Sequence, residues 1–293
     1  PRSTLFPYTT LFRSASDIKT LREKTGAGMM DCKKALLEAE GDFALAERKL
    51  KEWGLAGVAK RAGRATNEGR VFLSESPNAI SVVELACETD FVCKNDDFIS
   101  GGKKMAKLTL DKNYSTPVPE LEEIVQGLAS VIKENITLKR VALVKATAGE
   151  YIHAYVHGEG KLGVVVKVKS DKPEVFKDPA VTDFVHELAL HVAAFRPMFV
   201  DQSRISADWV KDQEDIFKKQ VEGDEKMAGK PAKVVEGILA GKLKKLMSEI
   251  CLLDQGFVND EKQTVKAVLA SVGKAAGATL SVVDYVYIKV GEN

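Results

Sequence analysis

The feature that most constrains the fold is an order of elements met twice: two apolar strands around a turn, then an amphipathic helix. In the first copy, Arg70-Val71-Phe72-Leu73 and Ile80 to Cys87 flank the turn signal Ser76-Pro77-Asn78. A helix follows over 96–110, with Asn95-Asp96-Asp97 offering its N-cap. In the second copy, Tyr151 to Val156 and Leu162 to Val168 flank His157-Gly158-Glu159-Gly160, and the helix runs from Pro179 to Phe195. A hairpin cannot bury its apolar face alone, so each needs the helix behind it. The expected class is therefore α+β, with a two-part core of antiparallel sheets over 70–147 and 148–293. Pro117 to Lys139 reads as further helix, with Leu121, Ile124, Val125, Leu128 and Ile132 on one side. Gly101-Gly102 inside the helix 96–110 weakens it by roughly 1 kcal/mol each relative to Ala.

Further helical patterns precede and interrupt these stretches along the chain. Ser16-Asp17 can cap a first helix carrying Ile18 and Leu21, ended by Thr25-Gly26-Ala27-Gly28. Met29 to Glu40 reads as a second, and Phe43, Ala46, Leu50 and Trp53 as one face of a third. The bundle over 15–56 is small and buries little area by itself, so it is expected either to bind something or to be held by something. Met29 and Met30 cannot both pack inside it from adjacent positions, and form an adaptable apolar contact pair. Residues 57–69 read as a basic linker carrying Lys60, Arg61 and Arg64. From Ser206 a helix with a thin stripe of Trp209, Ile216 and Phe217 turns at Gly229-Lys230-Pro231. It returns with Val234, Val235, Ile238, Leu239, Leu243 and Leu246, so 206–247 is expected to project as a helical hairpin with surplus apolar surface. A strand from Leu280 to Val290 closes the chain.

Pro1 to Ser14 has neither an acidic residue nor the layout of a signal peptide. It reads as a non-native leader, with the native chain expected to begin near Ala15 in the cytoplasm. The sequence is 45% hydrophobic and 29% charged with a net charge of +1, so no global field draws it to nucleic acid or membrane. No apolar run approaches the roughly 20 residues that span a bilayer. Cys32, Cys87, Cys93 and Cys251 contain no CxxC pair, and buried free thiols are expected. There is no P-loop and no GxSxG. His186 and His191 are five apart on a helix, so their rings diverge by about 140° and do not make the zinc-protease pair. No metal, cofactor or catalytic residue is expected.

Ile80 to Cys87 runs into Glu88-Thr89-Asp90-Phe91-Val92. Asp90 and Phe91 thus fall in a strand-to-helix turn, a common place for function. Two readings are open: Phe91 plugs its own core while Asp90 caps a turn, or a partner covers Phe91. The local pattern favours the first. The tetrapeptide itself decides nothing, because Thr182-Asp183-Phe184-Val185 repeats it within a helical pattern.

Context supplies the choice. Leu21-Arg22-Glu23-Lys24-Thr25-Gly26-Ala27-Gly28-Met29-Met30-Asp31-Cys32-Lys33-Lys34-Ala35-Leu36 resembles the N-terminal signature of bacterial translation elongation factor Ts. Glu88 to Val92, Tyr155-Val156-His157-Gly158 and His191-Val192-Ala193-Ala194 are similar to further motifs of that family, in its order. The resemblance implies a ubiquitin-associated-like three-helix domain, a two-part α+β core and an inserted coiled-coil hairpin. It implies a guanine nucleotide exchange factor that acts on elongation factor Tu without covalent catalysis. By motif, exchange contacts fall on Thr89, Asp90, Phe91 and His157, and N-terminal contacts on Arg22, Met29, Met30, Lys33 and Arg61. The hairpin 206–247 would add a homodimer or 2:2 contact. Lys133 stands where the family shows Gly, and no counterpart of the extra C-terminal helix of some members follows the last strand. An RNA-binding accessory would need a clustered basic face, and a ubiquitin-associated adaptor without exchange activity would lack Phe91.

Overall fold

A computed structural model describes residues 15–223 and 231–292. The expected leader 1–14 and most of the expected turn 229–231 lie outside these residues. The chain is mixed helix and sheet, and its contacts divide it into two units. The first takes in 15–69, 85–105 and 117–139, and the second 70–84, 106–116 and 140–292. This division does not fall at 147/148, because strands β1 (Glu68–Ser76), β2 (Ala79–Cys87) and β3 (Ile136–Lys145), paired in that order, each pass through both units.

In the first unit, α1 (Ala15–Thr25), α2 (Met29–Glu38) and α3 (Phe43–Arg61) close on Leu21, Cys32, Ala35, Leu36, Ala46 and Leu50. Asp42 caps α3 by accepting from the Leu45 N–H at 3.0 Å, and the Lys34 ammonium lies over the Trp53 ring. The linker expectation is corrected here: 57–61 continue α3, leaving 62–67 as the connection. Helix α3 packs on α5 (Pro119–Ile132), and a Cβ on Gly54 would stand 1.8 Å from the Ser130 hydroxyl. Helix α4 (Asp96–Lys112) is capped by Asn95, which accepts from the Phe98 N–H at 3.1 Å. Gly101 has a packing reason that the sequence did not reveal, since a Cβ there would lie 2.7 Å from the Leu128 side chain. The helix expected over 117–139 ends at Ile132. Lys133 takes the left-handed conformation, φ 65°, and the alternating Ile136-Thr137-Leu138 begins β3.

The second unit is built on a sheet of order β4-β5-β8, from β4 (Glu150–His157), β5 (Leu162–Ser170) and β8 (Leu280–Lys289), antiparallel throughout. Strand β5 is central and buried on both faces, as its unbroken Val164-Val165-Val166 run requires. Val164, Val166 and Val168 face α6 (Pro179–Phe195) and α9 (Val265–Ala275), while Val165 joins Val71, Ile80, Val82 and Ile288. Gly163 admits the Val71 side chain, which a Cβ would meet at 2.6 Å. Pro179 and the Asp178 cap start α6, whose buried stripe includes Phe184, Leu188 and His191. Two short strands, β6 (Gly256–Phe257) and β7 (Asp260–Thr264), and α9 occupy a stretch for which the sequence analysis named no element.

Helices α7 (Ala207–Glu222) and α8 (Ala232–Ile250) pack together. Trp209, Val210, Leu243 and Leu246 gather around Met247, Ile250 and Cys251. The surplus apolar surface is smaller than expected. Of the six apolar positions named on α8, Val234 is exposed and the other five are half-buried.

Candidate partner-binding site

Strand β2 leaves the sheet at Cys87, and Glu88 to Phe91 form the turn before a single helical turn, Val92–Lys94. Val92 and Cys93 are buried and anchor that turn. Phe91 is 81% exposed and Asp90 is exposed beside it. The reading in which Phe91 plugs its own core is therefore overturned. The second copy of the tetrapeptide behaves oppositely: Phe184 is 2% exposed, in the core against Phe257.

The turn is held from below by polar contacts to the residues after α5. The Glu134 carboxylate accepts from the Glu88 and Thr89 N–H groups, each at 3.1 Å, and from the Thr89 hydroxyl at 2.7 Å. In the reverse direction, Glu88 accepts from the Asn135 N–H at 2.6 Å. The Asn135 amide donates to the Arg64 carbonyl at 2.7 Å, and Arg64 pairs with Glu88 at 3.3 Å. The Glu134 carboxylate thus caps the main chain of Glu88 and Thr89 where β2 ends, and the Glu88 carboxylate caps that of Asn135 just before β3. Below them the sulfurs of Cys87 and Cys93 are 3.6 Å apart.

Lys133, one residue before this clasp, forms an ion pair with Asp31 of α2. That places the N-terminal residues of the site in the same unit as the turn. Met29, Met30, Arg22 and Lys33 are all exposed, Met30 by 74%. Arg61 differs from them: it is half-buried and donates to the Ala129 carbonyl at 2.9 Å, an internal tie between α3 and α5.

His157 belongs to the second unit, at the end of β4, where its ring is exposed and its Nδ1 lies 2.8 Å from the Tyr155 hydroxyl. On the same strand His153 Nε2 lies 3.0 Å from His186 Nδ1. Burial, and then the neighbouring His186, holds the His153 pKa below its ordinary value. Among the described residues no cluster of three or more acidic, His or Cys side chains could hold a metal ion, and no helix is long and apolar enough to cross a membrane.

Glu134 and Asn135 were missed by the sequence analysis. The available signal was the departure at Lys133, a non-glycine at a helix stop, with an acid and an amide directly after it.

The arrangement presents an exposed aromatic side chain on a turn tied by hydrogen bonds. The family model described as Elongation factor TS matches residues 88–292. An elongation factor Ts of Treponema denticola is 47% identical over 277 residues, covering 94% of this chain and 98% of that protein. Elongation factors Ts of Borrelia recurrentis and Borreliella burgdorferi are 42% and 40% identical over 279 residues, covering 95% of this chain and 99% of each relative.

Proposed function

The chain belongs to the elongation factor Ts family, and on that footing we propose that it is a guanine nucleotide exchange factor that binds elongation factor Tu. It promotes GDP release so that GTP loads during translation elongation. It performs no covalent chemistry and works in the cytoplasm.

The observation that carries this reading is the exposure of Phe91 on a tied turn. Leaving a Phe side chain in water forgoes about 1.5–3 kcal/mol that a partner's pocket returns. Exchange needs the partner to bind this protein and its nucleotide in opposition, and that coupling is reciprocal. Lowering GDP affinity about 10⁴-fold requires roughly 5.5 kcal/mol of differential binding. Phe91 as a wedge supplies a part of that. Asp90 beside it, and His157 on the second unit, act on polar groups around the partner's nucleotide, while Thr89 takes part by holding the turn through its bonds to Glu134.

Arg22, Met29, Met30 and Lys33 form an N-terminal grip, and Arg61 braces the helix behind it. The α1–α3 bundle corresponds to the family's ubiquitin-associated-like domain and the α7–α8 pair to its inserted coiled coil. That pair makes a further contact, with the partner or with a second copy of this chain.

The test is release of a fluorescent GDP analogue from purified elongation factor Tu. Catalytic amounts of this protein should accelerate release by orders of magnitude. Release at the spontaneous rate would overturn the reading.

A further inference from the structure

An exposed aromatic at a loop tip tends to fold back onto the nearest apolar surface, so a protruding Phe91 requires something that prevents collapse. The covalent neighbours do not suffice: Val92 and Cys93 fix the C-terminal side of the turn, while Glu88 to Asp90 lie outside the strand. Glu134, which lies 46 positions beyond Glu88 and 45 beyond Thr89 and bonds to both, holds the N-terminal side alongside the Cys87 thiol on the Thr89 carbonyl. It accepts two main-chain N–H groups and one hydroxyl through both carboxylate oxygens. Charge-assisted bonds of this kind are stronger than neutral ones, and three donors converging on one carboxylate restrain the orientation of the dipeptide. The Lys133–Asp31 ion pair, between exposed side chains, also joins the residue before Glu134 to α2, at whose start Met29 and Met30 are exposed.

We propose that Glu134 is a positioning residue for nucleotide exchange: it touches no part of the partner's nucleotide and acts by holding the Thr89–Phe91 turn in its projecting form. This rests on the exchange reading given above. Its consequence is a split between rate and affinity. Removing the clasp lets Phe91 sample many positions, so fewer encounters insert the wedge, while the N-terminal grip still forms the complex.

The experiment has two arms on the full chain. In the first, amide hydrogen exchange at Glu88 and Thr89 is followed by NMR in the free protein, for wild type, Glu134→Gln and Glu134→Ala. Both amides should exchange at least tenfold faster in Glu134→Ala, with Glu134→Gln in between because it keeps one carbonyl acceptor. In the second, the maximal rate and the half-saturating concentration for GDP-analogue release are measured. Glu134→Ala should lower the maximal rate five- to fifty-fold and move half-saturation less than threefold, with partial rescue in Glu134→Gln. In a Phe91→Ala background the same change should alter the maximal rate less than twofold. Thr89→Val, which removes the hydroxyl donor alone, should reproduce the direction at smaller size and covers the case in which Glu134→Ala does not fold. Unchanged amide exchange in both Glu134 variants, or an equal loss of rate with and without Phe91, overturns the proposal. If wild type itself releases no nucleotide, the exchange reading fails and the positioning role with it, while the first arm still reports whether Glu134 orders the turn.

Discussion

Cys87 and Cys93 stand with their sulfurs 3.6 Å apart across the base of the turn that carries Phe91, and each thiol also reaches a main-chain carbonyl, of Thr89 at 3.2 Å and of Gly69 at 3.3 Å. The Cys93 hydrogen bond and burial push the Cys87 thiol far above its ordinary range, and burial moves Cys251 up to about 11. Burial raises Cys32 as well. The thiolate is the reactive form. The native protein should therefore react slowly with an aromatic disulfide reagent at pH 8, and all four thiols should titrate at once in guanidinium. Fast reaction of Cys87 or Cys93 under native conditions would show that the turn opens.

Phe91 and Phe184 sit in the same tetrapeptide with opposite burial. Phe91→Ala should cut stimulated GDP release at least tenfold and change stability by no more than about 0.5 kcal/mol. Phe184→Ala should cost about 3–5 kcal/mol as a core truncation. Urea unfolding alongside the release assay separates the two, and a Phe91 variant that exchanges at the wild-type rate removes the wedge.

His191 is fully buried, with its Nδ1 accepting the Val258 N–H at 3.2 Å and its Nε2–H donating to Gln255 at 3.0 Å. Both nitrogens are committed in the neutral ring, and burial lowers its pKa against the opposing Gln255 bond. The unfolded chain thus binds the extra proton more readily, near pH 6.5. Stability from this group is complete above that pH and is lost as pH falls below it, and His153 acts in the same direction. Urea midpoints should fall between pH 7.5 and 5.5, and the fall should be smaller in His191→Gln.

Two glycines on exposed and packed helix faces should respond with opposite sign. A Cβ on Gly241 of α8 meets nothing within 4 Å, so Gly241→Ala should stabilise by up to about 1 kcal/mol. Gly101→Ala gains the same propensity and must displace Leu128, an overpacking that costs about 1–3 kcal/mol, so its net effect should be destabilising. Thermal melts of the two variants decide it.

Ile238 and Leu239 lie half-buried on α8, between exposed Val234 and the packed Leu243 and Leu246. Replacing both with Lys should lower the mass of the complex with elongation factor Tu, measured by light scattering, and leave the melting of the rest of the chain in place. Unchanged masses, alone and with the partner, would confine this stripe to the seam between α7 and α8.

Much of the fold was legible because its signals are local. β-branched runs bounded by Pro77-Asn78 and Gly158 mark the hairpins, and Asn95 and Pro179 mark two helix starts. Strand β3 was hidden because its helix stop uses Lys133 in place of Gly, which no propensity reveals. Helix α9 carries its own local signal, Thr264 followed by Val265, Val268, Leu269 and Val272 at helical spacing. The orientation of Phe91 was not legible, since the neighbouring residues alone favour burial. The carboxylate that ties the turn lies 45 positions beyond Thr89, where local pattern carries no information.

The central strand β5 has one late neighbour. Ser170 pairs with Leu280, so the hydrogen-bonding edge that β8 fills is complete only when about 110 further residues have been made. At roughly 5–20 residues per second that interval on the ribosome is on the order of 5–20 s. Throughout it, one edge of an apolar strand with Val164, Val165 and Val166 in its middle has no partner from its own sheet. Such an edge is a template for pairing with another chain. The nascent protein therefore passes through a period in which that edge is open to pairing with another chain.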